Sequence, residues 1–160
     1  MSELTEKRAV ATAAAELVPD GARVGLGTGS TVAELLPALA ARRLDIRCVA
    51  TSVATERLAR ELGLRVETLD ELGALDIAID GADQIAPDRW LVKGGGAAHT
   101  REKIVASAAT RFVVIASSDK LVDRLQPPVP LEILRFGAEE TLARAGPAAL
   151  RDVPRGRVSR

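Results

Sequence analysis

A cation, a run of backbone donors and a carboxylate lie together between Lys93 and Lys103: Lys93 itself, then Gly94, Gly95 and Gly96, then Glu102. Consecutive glycines expose N–H groups and can cradle an anion. Trp90-Leu91-Val92 reads as a strand feeding this loop, and a helix is expected to leave it from about Ala97. A helix N-terminus adds partial positive charge and free N–H donors at the same place. Glu102, in the opening turns of that helix, is a candidate base. These groups together suit proton abstraction next to a carbonyl, where an enolate-like charge must be stabilised. A carboxylate at that helix terminus is expected to have its pKa held down and to be ionised at neutral pH. The plain alternative is a Gly-rich strand-to-helix turn carrying a surface Lys and Glu.

A second loop, Gly27-Thr28-Gly29-Ser30-Thr31, also precedes an expected helix. Gly25, Gly27 and Gly29 are spaced Gly-x-Gly-x-Gly, which is not the dinucleotide pattern, and the next strand ends at Thr51-Ser52 with no acidic residue for a ribose hydroxyl. The P-loop pattern fails too, since no Gly-Lys-Ser/Thr occurs. Hydroxyls and glycines at a helix N-terminus still suit a single phosphate, with a structural turn as the alternative.

Asp80-Gly81-Ala82-Asp83 puts two carboxylates after a buried strand. They could hold sugar hydroxyls, do acid–base work or bind a divalent metal, or simply stabilise a turn. A metal is the least favoured of these, because no His lies nearby and other hard ligands are few. His99, the one His, is assigned no role. Lys occurs only at Lys7, Lys93, Lys103 and Lys120 in a chain rich in Arg. A compact ammonium suits a tight oxyanion or phosphate pocket, whereas Lys103 reads as incidental.

The elements that must position these groups follow from apolar patterning. Ser2 is expected to cap a helix from about Glu3 to Leu17, with Leu4, Val10, Ala14 and Leu17 on its apolar face. Arg23–Leu26 reads as a short buried strand, and Val32, Leu35, Leu36 and Leu39 stripe a helix from Thr31 to Ala41. Pro37 is expected to end or kink that helix. A strand at Ile46–Ala50, a helix at Ala54–Leu62 stopped by Gly63, a strand at Arg65–Glu67 and a helical turn near Asp70–Leu72 follow. Ile77–Ile79 and Phe112–Ala116 read as further buried strands. Alternation of short apolar strands with helices predicts an α/β fold: a mostly parallel, doubly wound, Rossmann-like sheet with helices on both faces. Ligands bind such sheets at the carboxyl ends of the strands. Gly27–Thr31, Thr51-Ser52, Asp80–Asp83, Gly94–Gly96 and Ser117–Lys120 all fall at such ends.

This first domain is expected to span residues 1–126. After Pro127-Pro128-Val129-Pro130 the character changes, and 127–160 reads as the start of a small α+β lobe and an Arg-rich tail. Leu131–Leu134 could be a strand and Ala138–Arg144 a helix, with Arg151 to Arg160 frayed.

With 47% hydrophobic residues the chain can bury a core, and two Phe, one Trp and no Tyr leave that core to Leu, Val, Ile and Ala. The 22 basic and 22 acidic residues cancel, so charge gives no pointer to nucleic acid or an anionic membrane. One cysteine, Cys48, excludes an internal disulfide and any multi-Cys metal site, and reads as a buried thiol. The start is interrupted by Glu3, Glu6, Lys7 and Arg8, and no apolar run is long enough to span a bilayer, so a cytoplasmic location is expected.

Taken in order, these strings resemble the type A ribose-5-phosphate isomerase family: Gly27-Thr28-Gly29-Ser30-Thr31, Thr51-Ser52, Asp80-Gly81-Ala82-Asp83, Lys93-Gly94-Gly95-Gly96 with Arg101-Glu102-Lys103-Ile104-Val105, and Ser118-Asp119-Lys120. The resemblance runs from about Lys7 to about Ala145. It implies interconversion of ribose 5-phosphate and ribulose 5-phosphate through an enediolate, with no metal or other cofactor. Glu102 would be the base. Lys93 and the N–H groups of Gly94, Gly95 and Gly96 would stabilise the oxyanion. Asp80 and Asp83, with Gly81 and Ala82 between them, would hold sugar hydroxyls and help open the ring. Thr28, Gly29, Ser30 and Thr31, with Lys7 and Lys120, would hold the phosphate.

Gln84 stands where the family has Glu, and His99 where it has an apolar residue. Family members also run further, completing a ferredoxin-like lobe used in subunit contacts. The implied homodimer would therefore form through a lobe that this sequence only begins. Two other functions fit the same fold: a non-catalytic sugar-phosphate sensor, and acyl-CoA transfer with Glu102 as nucleophile. The phosphate loop and Lys93 favour the isomerase.

Overall fold

The computed structural model describes residues 2–151. Its first half alternates helix and strand: α1 (Glu3–Ala15), β1 (Arg23–Leu26), α2 (Ser30–Ala41), β2 (Arg47–Ala50), α3 (Val53–Glu61), β3 (Arg65–Val66), α4 (Leu69–Leu72) and β4 (Leu75–Asp80). A hairpin of β5 (Gln84–Ile85) and β6 (Leu91–Val92) follows, then α5 (His99–Ala108), β7 (Ala109–Val114), a 3-10 turn at Ser118–Lys120 and α6 (Ala138–Arg144).

Five strands form one parallel sheet in the order β3-β2-β1-β4-β7. The alternation of side chains along its strands divides the core between two faces. Cys48, Ala50, Ile77 and Ile79 pack with Val24, Leu26 and the apolar stripes of α1, α2 and α3. Val49, Leu75 and Ala78 face the other way, against Leu72 of α4 and Val105 of α5. Gly25 permits that second layer, because a Cβ there would lie 2.5 Å from the Val105 side chain. The doubly wound expectation therefore holds, and Cys48 is fully buried in β2, its thiol pushed up to about 12 by burial.

Local chemistry explains the element ends. Ser2 and Ser52 accept hydrogen bonds from the Thr5 and Thr55 N–H groups, capping α1 and α3. Thr68 and Glu71 form a reciprocal capping box on α4. Gly63, at φ +80°, ends α3 in the left-handed conformation that glycine tolerates best.

Several elements differ from the sequence reading. The buried face of α1 is made of Ala11, Ala14 and Ala15, with Val18 just beyond, while Leu4 and Leu17 are 47% and 39% exposed. Small residues let α1 lie close against α2, a spacing that a leucine stripe would prevent. Pro37 does not end α2, which runs to Ala41 with Leu35, Leu36 and Leu39 buried on either side of it. Proline removes one helical hydrogen bond, and this packing outweighs that loss. The strand before the glycine loop lies not in the parallel sheet but in the antiparallel pair β5–β6. Leu131–Leu134 is not a strand, and among the described residues no strand lies beside it to pair with. The expected tail divides: Arg151 is placed and bonded, and residues 152–160 lie outside the described residues.

Candidate active site

The loops at the carboxyl ends of β1, β2 and β4, together with the glycine loop after β6, enclose a cavity of about 590 Å³. Lys7, Thr28, Gly29, Ser30, Thr31, Gly81, Ala82, Asp83, Lys93, Gly94, Gly95, Gly96, Glu102 and Lys120 all line it. Of the expected site residues, only Asp80 is absent from the lining; it is 3% exposed and sits beneath the cavity. Of the four lysines, Lys7, Lys93 and Lys120 face the cavity, and Lys103 is exposed elsewhere.

At one end the Lys93 ammonium lies 2.9 Å from Asp80 Oδ2 and 2.9 Å from Glu102 Oε1. It also donates to the Gly81 carbonyl at 2.5 Å. Asp80 is fixed from behind: its Oδ1 accepts from the Gly81 N–H at 2.7 Å and the Thr28 N–H at 3.1 Å. Gly27 allows this, because a Cβ there would overlap the Asp80 carboxylate. Asp80 therefore links the loop after β1 to the loop after β4 and seats Lys93.

Glu102 is 6% exposed, and its Oε2 is buried with no hydrogen-bond partner among the described residues. Burial, with the Asp80 charge, raises the Glu102 carboxyl to about 7 against the opposing pull of Lys93. This reverses the expectation of a depressed value. Removal from water and a carboxylate neighbour outweigh the helix terminus and the cation. Burial also disfavours the Lys93 ammonium, but Asp80 and Glu102 more than offset it, and its pKa is raised. A permanent cation thus stands beside a carboxylate poised near neutrality.

Asp83, exposed at the mouth, accepts from the Gly95 N–H at 2.7 Å and so braces the glycine loop. At the other end, Lys7 donates to Ser30 Oγ at 2.8 Å and pairs with Glu3 at 2.5 Å. Ser30 and Thr31 open α2, whose first N–H groups have no intrahelical acceptor. Lys120, paired with Asp119, closes this end. The ends thus differ: one offers fixed donors and two ammonium groups, the other an ion triad with a poised base.

Two supporting groups, Thr55 and Glu6, have no role in the sequence reading. Thr28 Oγ1 meets Thr51 Oγ1 at 2.7 Å, and Thr55 Oγ1 donates to the Gly27 carbonyl at 2.9 Å, so hydroxyls of β2 and α3 fix the loop after β1. Glu6 accepts from both the N–H and the hydroxyl of Ser118, tying α1 to the Lys120 turn. The polar Thr51-Ser52 cluster was the available signal for the first, while a lone helix Glu gave none for the second.

Comparison with known proteins agrees with this geometry. The family profile of ribose 5-phosphate isomerase A (phosphoriboisomerase A) matches residues 47–158, and that of the DeoR C terminal sensor domain matches residues 2–69. Ribose-5-phosphate isomerase A of Caulobacter sp. (strain K31) is 54% identical over 142 residues, covering 88% of this chain and 63% of its own length. The Methanosarcina acetivorans protein of that name is 53% identical over 138 residues, covering 84% of this chain and 59% of its own. Among solved structures, ribose 5 phosphate isomerase A from Neisseria gonorrhoeae superposes with a TM-score of 0.86 at 36% identity, over 89% of this chain and 65% of that one. The chain thus spans about three-fifths to two-thirds of the length of these relatives. With a family profile matching residues 47–158 and about half of its residues identical to such relatives, the chain belongs to the ribose 5-phosphate isomerase A family.

Proposed function

We propose that the cavity interconverts D-ribose 5-phosphate and D-ribulose 5-phosphate, a step of the non-oxidative pentose phosphate pathway. The observation that carries this reading is the Lys93 ammonium held 2.9 Å from Glu102 beside an unpartnered Glu102 oxygen. In the open-chain aldose, Glu102 takes the proton from C2. The C2–H electron pair forms the C1–C2 double bond, and the carbonyl pair moves onto the C1 oxygen. Lys93 and the N–H groups of the glycine loop stabilise that oxyanion. A proton passes from the C2 hydroxyl to the C1 oxygen, and Glu102 returns its proton to C1, so the products balance the reactants. Asp83 at the mouth is suited to hold a sugar hydroxyl and assist ring opening. Asp80 acts by positioning Lys93. Lys7, Thr28, Gly29, Ser30, Thr31 and Lys120 hold the phosphate.

The test is conversion of ribose 5-phosphate by the purified chain, with Glu102→Gln as control. Turnover in the parent and a loss of at least about a hundredfold in the variant are expected. Equal turnover in both would sink the role of Glu102. The second reading, a sugar-phosphate sensor, draws on the DeoR sensor match to residues 2–69. That span holds the phosphate loop but neither Lys93 nor Glu102. It requires that ribose 5-phosphate raise the melting temperature without being converted.

Subunit contact, if the chain dimerises, is proposed through 131–136, where Leu131, Leu134 and Phe136 are 68%, 81% and 94% exposed. Light scattering on the chain and on its Phe136→Glu variant reads this directly, and an unchanged mass for both argues against it.

A further inference from the structure

The segment after Pro130 reaches back over the glycine loop at three points. Pro130 Cβ lies 3.1 Å from where a Gly94 Cβ would stand. Glu132 Oε2 accepts from the Thr100 N–H at 2.8 Å. Arg151 Nη2 donates to the Gly94 carbonyl at 2.6 Å, and its Nη1 to the Gly95 carbonyl at 3.4 Å. The same Nη2 lies 3.1 Å from His99 Nε2, which accepts when the His99 proton is on Nδ1. His99 in turn fills the space beside Gly94, where a Cβ would come within 2.5 Å of its ring.

A trans peptide points its C=O and N–H in opposite directions. A donor that holds the Gly94 and Gly95 carbonyls therefore also sets the Gly95 and Gly96 N–H groups. The Gly95 peptide is held at both ends, by Arg151 and the Ala97 N–H (3.0 Å) on its carbonyl side and by Asp83 on its N–H side. The Gly96 peptide is held only on its carbonyl side, and among the described residues its N–H meets no protein acceptor. Gly96 lines the cavity, so that N–H is available to a ligand. Three glycines in a row have little intrinsic preference for one orientation, and the turn bond from the Ala97 N–H fixes only the Gly94 carbonyl, so the Gly95–Gly96 peptide depends on an outside anchor.

We propose that Arg151 is a positioning residue: its guanidinium fixes the Gly94 and Gly95 carbonyls, so that the Gly95 N–H stays on Asp83 and the Gly96 N–H is presented to the reacting end of the cavity. This rests on the isomerase reading of the cavity. It gives the start of the second lobe a task in catalysis apart from any subunit contact. Arg suits the task because its planar fork can span two successive carbonyls, whereas a Lys ammonium can follow only one at a time.

Arg151→Ala and Arg151→Lys are compared with the parent by steady-state kinetics and by binding of a phosphorylated four-carbon aldonate, whose carboxylate presents an oxyanion at the reacting end. Inorganic phosphate binding serves as a probe of the far end. The proposal expects kcat to fall about tenfold in Arg151→Ala and less in Arg151→Lys. It expects aldonate affinity to fall in parallel, with inorganic phosphate affinity unchanged. Faster amide exchange at Gly95 and Gly96 in Arg151→Ala, at an unchanged melting temperature, is the matching structural readout. Unchanged kcat, aldonate affinity and exchange would overturn it, as would an equal loss in phosphate affinity. If the parent itself does not turn over, the isomerase reading fails, while aldonate binding and amide exchange still decide the role of Arg151.

Discussion

Glu102 Oε1 is 2.9 Å from the Lys93 ammonium, while Oε2 of the same carboxylate is buried with no hydrogen-bond partner among the described residues. One oxygen is thus neutralised and the other is kept bare. That division suits a base. The cation keeps the ionised form accessible, and the burial of the other oxygen keeps it proton-hungry. The raised Glu102 value of about 7 is the thermodynamic expression of this, caused first by burial and then by Asp80.

A pH profile follows. In the proposed reaction Glu102 must be ionised to accept the C2 proton, so kcat/KM is expected to rise with pH and level off above about 7. The stability effect has the opposite sign. A carboxyl whose folded pKa lies above its unfolded 4.5 binds more protons folded than unfolded between the two values. Its contribution is full below 4.5 and is lost as pH rises through about 7. Glu102→Gln, a mimic of the protonated acid, should match the parent at pH near 4.5 and be the more stable at pH 8, by on the order of 1–3 kcal/mol. Denaturant titrations of both proteins across that range check it, and a constant difference would remove the proposed burial cost.

Lys93 is the group that lets Asp80 and Glu102 share a small space. Lys93→Ala should lower turnover by about a hundredfold to a thousandfold, through loss of the proposed oxyanion donor. It should also cost about 2–4 kcal/mol of stability near neutral pH, because two adjacent carboxylates lose their common cation. The loss should shrink at low pH, where one carboxyl takes up a proton. A pH-independent cost, measured by denaturant melts at several pH values, would contradict the shared-cation account.

Gly27 carries the same triad from the other side. A Cβ at this position overlaps the Asp80 carboxylate, so Gly27→Ala must displace either Asp80 or the loop after β1. Either movement unseats Lys93. Stability should drop by about 1–3 kcal/mol, with activity falling much further than stability alone accounts for. Folded, fully active Gly27→Ala protein would mean that the Asp80 position is not required.

How legible this was in the sequence depends on the kind of information each feature needs. The sheet was legible because β1, β2 and β4 are short apolar runs punctuated by glycine and hydroxyl residues, and those runs meet only local demands. Lys7, Lys93 and Lys120 stood out as rare lysines in an Arg-rich chain, and each reaches the cavity. The pKa of Glu102 was not legible, since it depends on depth of burial and on Asp80, which is distant in sequence. Arg151 resembled a frayed end by composition, yet its contacts lie more than fifty residues away at Gly94 and Gly95. Of the buried alanines of α1 the sequence reading places only Ala14 on the apolar face and takes Leu4 and Leu17 in place of Ala11 and Ala15, because hydrophobicity alone does not report how closely two helices approach.

The phosphate end should behave differently from the reacting end. Lys7 donates to Ser30 and faces the cavity at the end away from the Lys93–Glu102 pair, where the proposed reaction develops no charge. An interaction equal in ground and transition states changes KM and leaves kcat alone. Lys7→Ala should therefore raise KM for ribose 5-phosphate about tenfold or more, with kcat within about twofold of the parent. Glu3 pairs with Lys7 at 2.5 Å and would compete with a phosphate for the same ammonium. Glu3→Gln should then lower KM, with kcat again unchanged. Steady-state kinetics on the two variants test the same contact from opposite sides. A fall in kcat for Lys7→Ala would show that phosphate binding energy is used to lower the chemical barrier, and the two ends of the cavity could no longer be treated as independent.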